Sequence, residues 1–178
     1  MTIYKLKRIR LSKHFTAYEL FYSKDFKEIT ISSNAKLRGI QLFLARTLCQ
    51  NVLEPIREYF NKPIIITGPA RNEVTYRKML KENAIPPSKT SDHFFMNIYP
   101  FTVGAADFFV MDTDMEFVFR YMIKNLDPNV YGQIIYYPGH GFIHVSNNRN
   151  VIGKIGDLVP HKKRIMIYRN KRYEEYTK

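Results

Sequence analysis

Apolar residues recur every three or four positions between Ser33 and Phe60. This spacing is typical of the buried face of an amphipathic helix, so it predicts one long helix over this range. Pro55 has no backbone N–H to donate, and we expect it to kink the helix or to split it near Glu54. The apolar face comprises Leu37, Ile40, Leu44, Leu48, Val52, Ile56 and Tyr59.

The beginning of the chain shows two further patterns. Residues 2–11 alternate weakly between apolar and basic side chains, which favours an edge strand or an arm lying on a partner. Thr16 and Glu19 have the spacing of a capping box and predict the start of a short helix. We therefore expect a basic N-terminal arm over residues 1–11, before a domain that begins at residue 12.

Short β-branched and aromatic runs predict the strands. Residues 64–67, 105–110 and 164–168 have the length and composition of strands. Residues 132–137 and 142–146 are joined by a Pro/Gly turn and predict a hairpin. Helices are expected near 73–81 and 113–125. The predicted fold class is therefore α+β, with a small antiparallel sheet packed on the long helix. This domain covers residues 12–150 and is followed by a basic C-terminal extension, 151–178.

Composition narrows the classes of partner. The 178 residues fit one domain, and the formal charge of +12 would attract a polyanion such as nucleic acid, an anionic wall polymer or a membrane surface. Charge alone does not choose among these partners. Cys49 is the only cysteine, so an intrachain disulfide is excluded.

Targeting signals are not evident in the sequence. No apolar run of signal-peptide length follows the basic N-terminus, and no segment has the apolar length of a membrane span. We therefore expect a protein made in the cytoplasm without a signal peptide, and without a membrane span.

Three residues of metal-ligand type stand far apart in the chain. Asp107 lies in an otherwise apolar strand, where a buried carboxylate needs a cation, a cluster of donors or exposure at a strand end. Taken singly, His93 fits a loop histidine and His144 a hydrogen-bonded core histidine. Together, two imidazoles and a carboxylate form the three-ligand set of a catalytic zinc site. We predict that His93, Asp107 and His144 hold one metal ion.

The chain contains Ser-x-His, Ala-x-Asp and His-Val in that order, at residues 91–93, 105–107 and 144–145. This order resembles that of the zinc peptidases of the D-Ala-D-Ala carboxypeptidase and phage endolysin superfamily, whose fold is shared by the signalling domain of hedgehog. The helix end at 51–57, the strand at 63–67 and Arg71 are similar as well, so the resemblance covers about residues 12–150. It implies that the three predicted ligands bind Zn²⁺ in a groove across the sheet. It also implies that Arg71 holds a substrate carboxylate through its planar guanidinium.

The chain departs from the family pattern at two places. His93 and Asp107 are fourteen residues apart, which lengthens the compact motif of the family. Many members carry a glutamate as general base shortly before the last histidine, whereas residues 136–141 contain no carboxylate. His140 is the alternative acid/base by its titration range, unless it is a solvated turn residue. Tyr136 and Tyr137 alternate faces of the strand, so one is expected to face the cleft as oxyanion donor and the other to pack in the core.

The resemblance implies a zinc-dependent hydrolase of peptidoglycan peptides, of D,D- or L,D-peptidase type and of bacteriophage origin, acting at the bacterial cell wall. An alternative is a structural protein of a virus particle that keeps the fold but has lost turnover, with basic termini that contact other virion subunits. A further alternative is a nucleic-acid-binding module, supported by charge and by the tyrosines interleaved with basic residues at 168–173.

Overall fold

A computed structural model describes residues 1–82, 91–95, 97–98, 101–147, 164–170 and 172–176. Over these residues the architecture is mixed α+β, with one six-stranded sheet, two two-stranded sheets and surrounding helices. Within the described ranges, no helix is both long enough and apolar enough to cross a membrane. The elements are α1 (Ile3–Arg8), α2 (Ala17–Phe21), β1 (Tyr22–Ser23), β2 (Glu28–Ile29), α3 (Ala35–Leu48), a π-helical turn (Cys49–Leu53), α4 (Glu54–Phe60), β3 (Ile64–Gly68), α5 (Glu73–Glu82), a 3₁₀ turn (Asp92–Phe94), β4 (Asn97–Ile98), β5 (Phe101–Thr102), β6 (Ala105–Val110), α6 (Met115–Asn125), β7 (Tyr131–Tyr137), β8 (Phe142–Asn147), β9 (Arg164–Arg169) and β10 (Arg172–Glu175).

The large sheet has the strand order β10-β9-β7-β8-β6-β3. The predicted hairpin is confirmed as β7 and β8, with Tyr137 opposite Phe142. The strands of this sheet within residues 12–150 pair antiparallel, as predicted, but β9 of the C-terminal extension joins the sheet by pairing with β7 in parallel. The antiparallel hairpin occupies only one edge of β7, and β9 takes the other edge in the same direction as β7. A parallel pair needs a long crossover connection, which no local pattern reveals.

The predicted long helix is divided into segments of different hydrogen bonding. Asn34 caps α3 by accepting from two backbone N–H groups. The N–H of Glu54 then donates to the carbonyl of Cys49, five residues back, as in a π-helix. The change in hydrogen bonding therefore falls on the turn before Pro55, which stands in the first turn of α4. Burial is complete only in the middle of the apolar face, since Tyr59 at its end is 57% exposed.

The N-terminal residues form a helix, so the predicted edge strand is wrong. Thr2 caps α1 by accepting from the N–H of Lys5. Leu6 and Leu11 are fully buried in the hydrophobic core. This cap and this burial outweigh the weak alternation of residues 2–11. The predicted capping box of Thr16 and Glu19 is confirmed at the start of α2.

A buried carboxylate joins the segment before α2 to the long helical run. Glu54 accepts hydrogen bonds from the hydroxyl of Ser12, at 2.5 Å, and from the backbone and ring of His14. Burial on its own would raise the pKa of Glu54, but these hydrogen bonds outweigh it and lower the pKa. Ionised Glu54 therefore stabilises the fold.

We expect Glu54→Gln to lower the free energy of unfolding by about 1–3 kcal/mol at pH 7, because hydrogen bonds to a charged group are lost. The pKa of Glu54 is lower in the folded protein than in the unfolded chain, where it is about 4.3. The stabilisation is therefore present above about pH 4.3 and is lost as the pH falls through the pKa of the folded protein. In urea titrations, the difference in free energy of unfolding between Glu54→Gln and the wild type should be smaller at pH 3 than at pH 7. Glu58→Gln, in an exposed ion pair with Lys13, should cost under about 1 kcal/mol.

Candidate metal centre

Strand register brings two of the predicted ligands together. Asp107 in β6 and His144 in β8 are direct cross-strand partners, so their side chains leave the same face of the sheet side by side. His93 approaches that face from the 3₁₀ turn Asp92–Phe94. The turn is held in place because the backbone N–H of Arg71 donates to the carbonyl of His93 at 2.7 Å.

The ligand atoms form a small triangle. His144 Nδ1 lies 2.8 Å from Asp107 Oδ1, and His93 Nε2 lies 3.1 Å from each of these atoms. Both histidines are buried, at 2% and 8% exposure. Metal–ligand bonds of about 2.0–2.2 Å are compatible with one ion that contacts all three atoms. The triad could therefore hold a metal ion.

Hydrogen bonding and the electrostatic surroundings favour the ligating forms of His93 and Asp107. The Nδ1–H of His93 donates to the carbonyl of Pro69 at 3.2 Å, which leaves the lone pair of Nε2 directed at the triad. Burial lowers the pKa of His93, so its ring is neutral at pH 7. Burial alone would raise the pKa of Asp107, but His93 and His144 outweigh it and hold that pKa well below its ordinary range.

A glycine makes room for the carboxylate. Gly68 in β3 pairs with Asp107, and a Cβ at Gly68 would lie 2.2 Å from Asp107 Oδ2. Any larger residue would displace the carboxylate from the triad. Neither Gly68 nor the carbonyl of Pro69 was among the residues predicted for the site. Their only sequence signal is the Gly-Pro pair that ends the predicted strand.

Arg71 lies beside the triad. Its Nη1 donates to the hydroxyl of Ser91 at 3.1 Å, and no salt bridge involves it among the described residues. Burial lowers its pKa, while the charge of Asp107 opposes that shift. An arginine side chain keeps its charge under such conditions. A guanidinium with further N–H donors is thus held close to the metal-ligand triad.

The two predicted tyrosines lie on opposite faces of β7. Tyr136 is 7% exposed and stacks on Phe119 of α6, so it belongs to the core. Tyr137 pairs with Phe142, which places it on the sheet face that bears His144. Burial, reinforced by the hydrogen bond with Tyr173 at 3.4 Å, raises the pKa of Tyr137 well above its ordinary value. Tyr137 therefore presents a protonated hydroxyl on that face.

His140 lies on the exposed turn between β7 and β8. Its ring centroid is 6.4 Å from that of Tyr137 and 6.0 Å from that of Phe142. The structure places no hydrogen bond between His140 and the described residues of the triad. His140 thus lies beyond the strand end, whereas His144 lies within the strand.

The extra chain length between His93 and Asp107 contains two short strands, β4 and β5, which pair antiparallel. Comparisons of the chain with models of protein families, with curated proteins and with solved structures give no match. The chemistry of this site is therefore inferred from its own side chains: two imidazoles, one ionised carboxylate and an adjacent arginine.

Proposed function

We propose that this protein is a zinc-dependent hydrolase of peptidoglycan peptides, of D,D- or L,D-peptidase type, and a divergent member of the D-Ala-D-Ala carboxypeptidase and phage endolysin superfamily. The observation that supports this most is the buried triangle of His93 Nε2, Asp107 Oδ1 and His144 Nδ1. Two nitrogens and one carboxylate oxygen match the ligand chemistry of a catalytic zinc site.

Zinc held by His93, Asp107 and His144 would supply a Lewis acid that polarises a carbonyl and activates water at neutral pH. The protein's own part is to keep His93 neutral and Asp107 ionised, and to orient all three ligands. The bond from His93 to the carbonyl of Pro69 fixes one ring, and cross-strand pairing fixes the other two side chains. In this proposal the substrate lies in a groove across the sheet, on the face opposite α6.

Arg71 and Tyr137 supply the polar groups around the reacting peptide. Arg71 has N–H donors beyond the one bonded to Ser91, and a carboxylate can accept two of them in parallel. Tyr137 stays protonated because its pKa is raised, so its hydroxyl can donate to an oxyanion that develops at the scissile carbonyl. These roles fit a peptide whose terminal carboxylate lies near the metal.

A second candidate is a structural protein of a bacteriophage particle that retains the metal site without turnover. The observation in its favour is the lack of a carboxylate in residues 136–141, where the related enzymes carry their general base. Its basic termini would then contact other virion subunits.

Two measurements on one preparation separate these candidates. Protein purified without chelator should contain about one zinc per chain, and it should release peptide fragments from bacterial wall sacculi. Zinc-loaded protein that releases nothing would support the structural candidate. Protein that binds neither zinc nor another divalent metal would contradict both.

We expect Arg71→Lys to weaken the binding of wall peptides about tenfold or more, because an ammonium group cannot form the paired hydrogen bonds of a guanidinium. Zinc content should be unchanged. Arg77→Lys is the matched control, since Arg77 lies nearby on α5 in an exposed ion pair with Glu73. Loss of folding in Arg71→Lys, seen as a lower melting temperature without zinc or ligand, would instead make Arg71 a structural residue.

A further inference from the structure

The face of the sheet that bears the metal ligands also carries a row of aromatic rings. The row takes one residue from each of β8, β7, β9 and β10, and we call it the aromatic platform: Phe142, Tyr137, Tyr168 and Tyr173. The ring of Tyr137 stacks on that of Phe142, with centroids 4.5 Å apart, and its centroid lies 5.2 Å from that of Tyr168. Tyr168 and Tyr173 are cross-strand partners with centroids 4.9 Å apart. The four rings therefore form one continuous surface.

The two faces of these strands differ in burial. On the face opposite the platform, Ile165 and Ile167 of β9 pack against the hydrophobic core. Tyr176 meets Phe119 of α6 edge-on, with centroids 5.3 Å apart. On the platform, in contrast, Tyr173 is 57% exposed and the other three rings are half-buried. A contiguous aromatic surface left exposed in this way favours a binding site.

The charges on the platform face do not favour a polyanion. Side chains alternate along each strand, so the charged residues on this face among the described strand positions are Arg164, Glu175 and Asp107. By the same alternation, Arg169 and Arg172 belong to the opposite face. A nucleic acid requires cations along its phosphates. One arginine and two carboxylates give no surplus of cations, so a ligand with neutral rings is favoured.

A sugar ring has the chemistry that this surface requires. The C–H groups on one side of a pyranose carry partial positive charge, which favours contact with the negative face of an aromatic ring. The hydroxyls of Tyr137 and Tyr173, 3.4 Å apart, can donate to or accept from the hydroxyl and amide groups of the sugar. The row crosses successive strands over roughly 14 Å, which is long enough for more than one sugar ring.

We propose that the aromatic platform binds sugar rings of the glycan strand to which wall peptides are attached, so that the preferred substrate is a glycan-linked peptide. This inference rests on the proposed peptide-hydrolase function and names the class of its substrate. Phe142 and His144 are two positions apart on β8, so the platform begins roughly 7 Å from the metal ligands and ends roughly 16 Å from them. An extended peptide of about two to five residues spans these distances.

The binding test uses a linear tetramer of N-acetylglucosamine, titrated into the whole protein with zinc and after chelation. Amide chemical shifts in ¹⁵N NMR should change saturably in β7–β10. The affinity should be similar in both states, because the platform contains no metal ligand. Absence of saturable shifts, or shifts confined to other elements, would overturn the inference.

Three variants identify the rings as the binding surface. Tyr173→Ala removes the most exposed ring and should weaken binding of the tetramer at least about fivefold. Tyr173→Phe keeps the ring and should retain most of the affinity, which separates stacking from the hydrogen bond to Tyr137. Tyr59→Ala is the matched control, because Tyr59 is also 57% exposed and also stacks on a tyrosine, at 4.0 Å, but lies on α4. Melting temperatures must show that all three variants are folded.

Oligothymidylate of similar length tests nucleic acid as the alternative occupant. It can bind the basic protein elsewhere, so the criterion is the effect of Tyr173→Ala, which should leave its affinity unchanged. If Tyr173→Ala weakened the oligonucleotide at least as much as the saccharide, the platform would be a nucleic-acid surface and the inference would be wrong. Equal effects of Tyr173→Ala and Tyr59→Ala on the saccharide would also contradict it.

Hydrolysis by the zinc-loaded protein tests the substrate class. A wall peptide that carries its disaccharide should have a KM at least about fivefold lower than the same peptide without sugars, and Tyr173→Ala should remove that difference. Equal KM values in the wild type would overturn the inference. Wall hydrolysis without saccharide binding would reject the platform alone. Saccharide binding by a protein that hydrolyses no wall peptide would reject the proposed function and leave the platform as a glycan-binding surface.

Discussion

Asp107→Asn is expected to abolish zinc binding while leaving the protein folded. The amide keeps the shape of the carboxylate but lacks the negative charge that the buried site requires at 2.8 Å and 3.1 Å from the two histidines. Wild-type protein with free zinc at a hundred times the dissociation constant should gain about 2.7 kcal/mol. For a chain of this size that corresponds to a rise in melting temperature of roughly 5–10 °C. The variant should show no rise.

Calorimetric scans with and without chelator, together with metal analysis, measure this effect. Asp112→Asn is the matched control, because Asp112 is an exposed residue just after the same strand, with a φ of 49° that asparagine tolerates. It should keep the zinc content and the zinc-dependent rise. If the melting temperature of the wild type changed with neither zinc nor chelator, the prediction of a metal site would be wrong.

The three ligands could be predicted from the sequence, because the prediction needs only their residue types and their order along the chain. Asp107 and His144 stand in strands that their neighbours predict, whereas the turn at His93 was not predicted. Their convergence depends on the pairing of Asp107 with His144, which the hairpin and strand patterns only allow. The need for Gly68 was not predicted, since it arises from the neighbouring strand, where a Cβ at Gly68 would lie 2.2 Å from Asp107 Oδ2.

The fold shows the same division between local and distant information. Thr16 and Glu19 are three residues apart, and their capping box was predicted and found. The parallel pairing of β9 with β7, by contrast, joins residues that are about thirty positions apart, such as Ile135 and Met166. No periodicity within either strand specifies that partner, because both have apolar residues on each face.

The second large effect is expected at Tyr137. Tyr137→Phe should lower kcat for wall peptides by about 10²–10³, the usual cost of removing one oxyanion donor. The pH profile should stay unchanged near neutrality, because the raised pKa keeps this hydroxyl protonated there. Steady-state rates of the zinc-loaded protein across pH 5–9 provide the measurement.

Two neighbouring residues serve as comparisons. Tyr136→Phe also removes a tyrosine hydroxyl, but from the opposite face of β7, where the ring stacks on Phe119. Activity should therefore change less than about threefold. His140→Ala alters an exposed turn beyond the strand that holds His144, and it should also leave the rate nearly unchanged. If His140→Ala instead abolished activity and the wild-type rate titrated near pH 6–7, His140 would be the acid/base that transfers the proton. Because the two tyrosine variants differ only in the face of the sheet they modify, a loss confined to Tyr137 would place the reacting carbonyl on the face that bears the metal ligands.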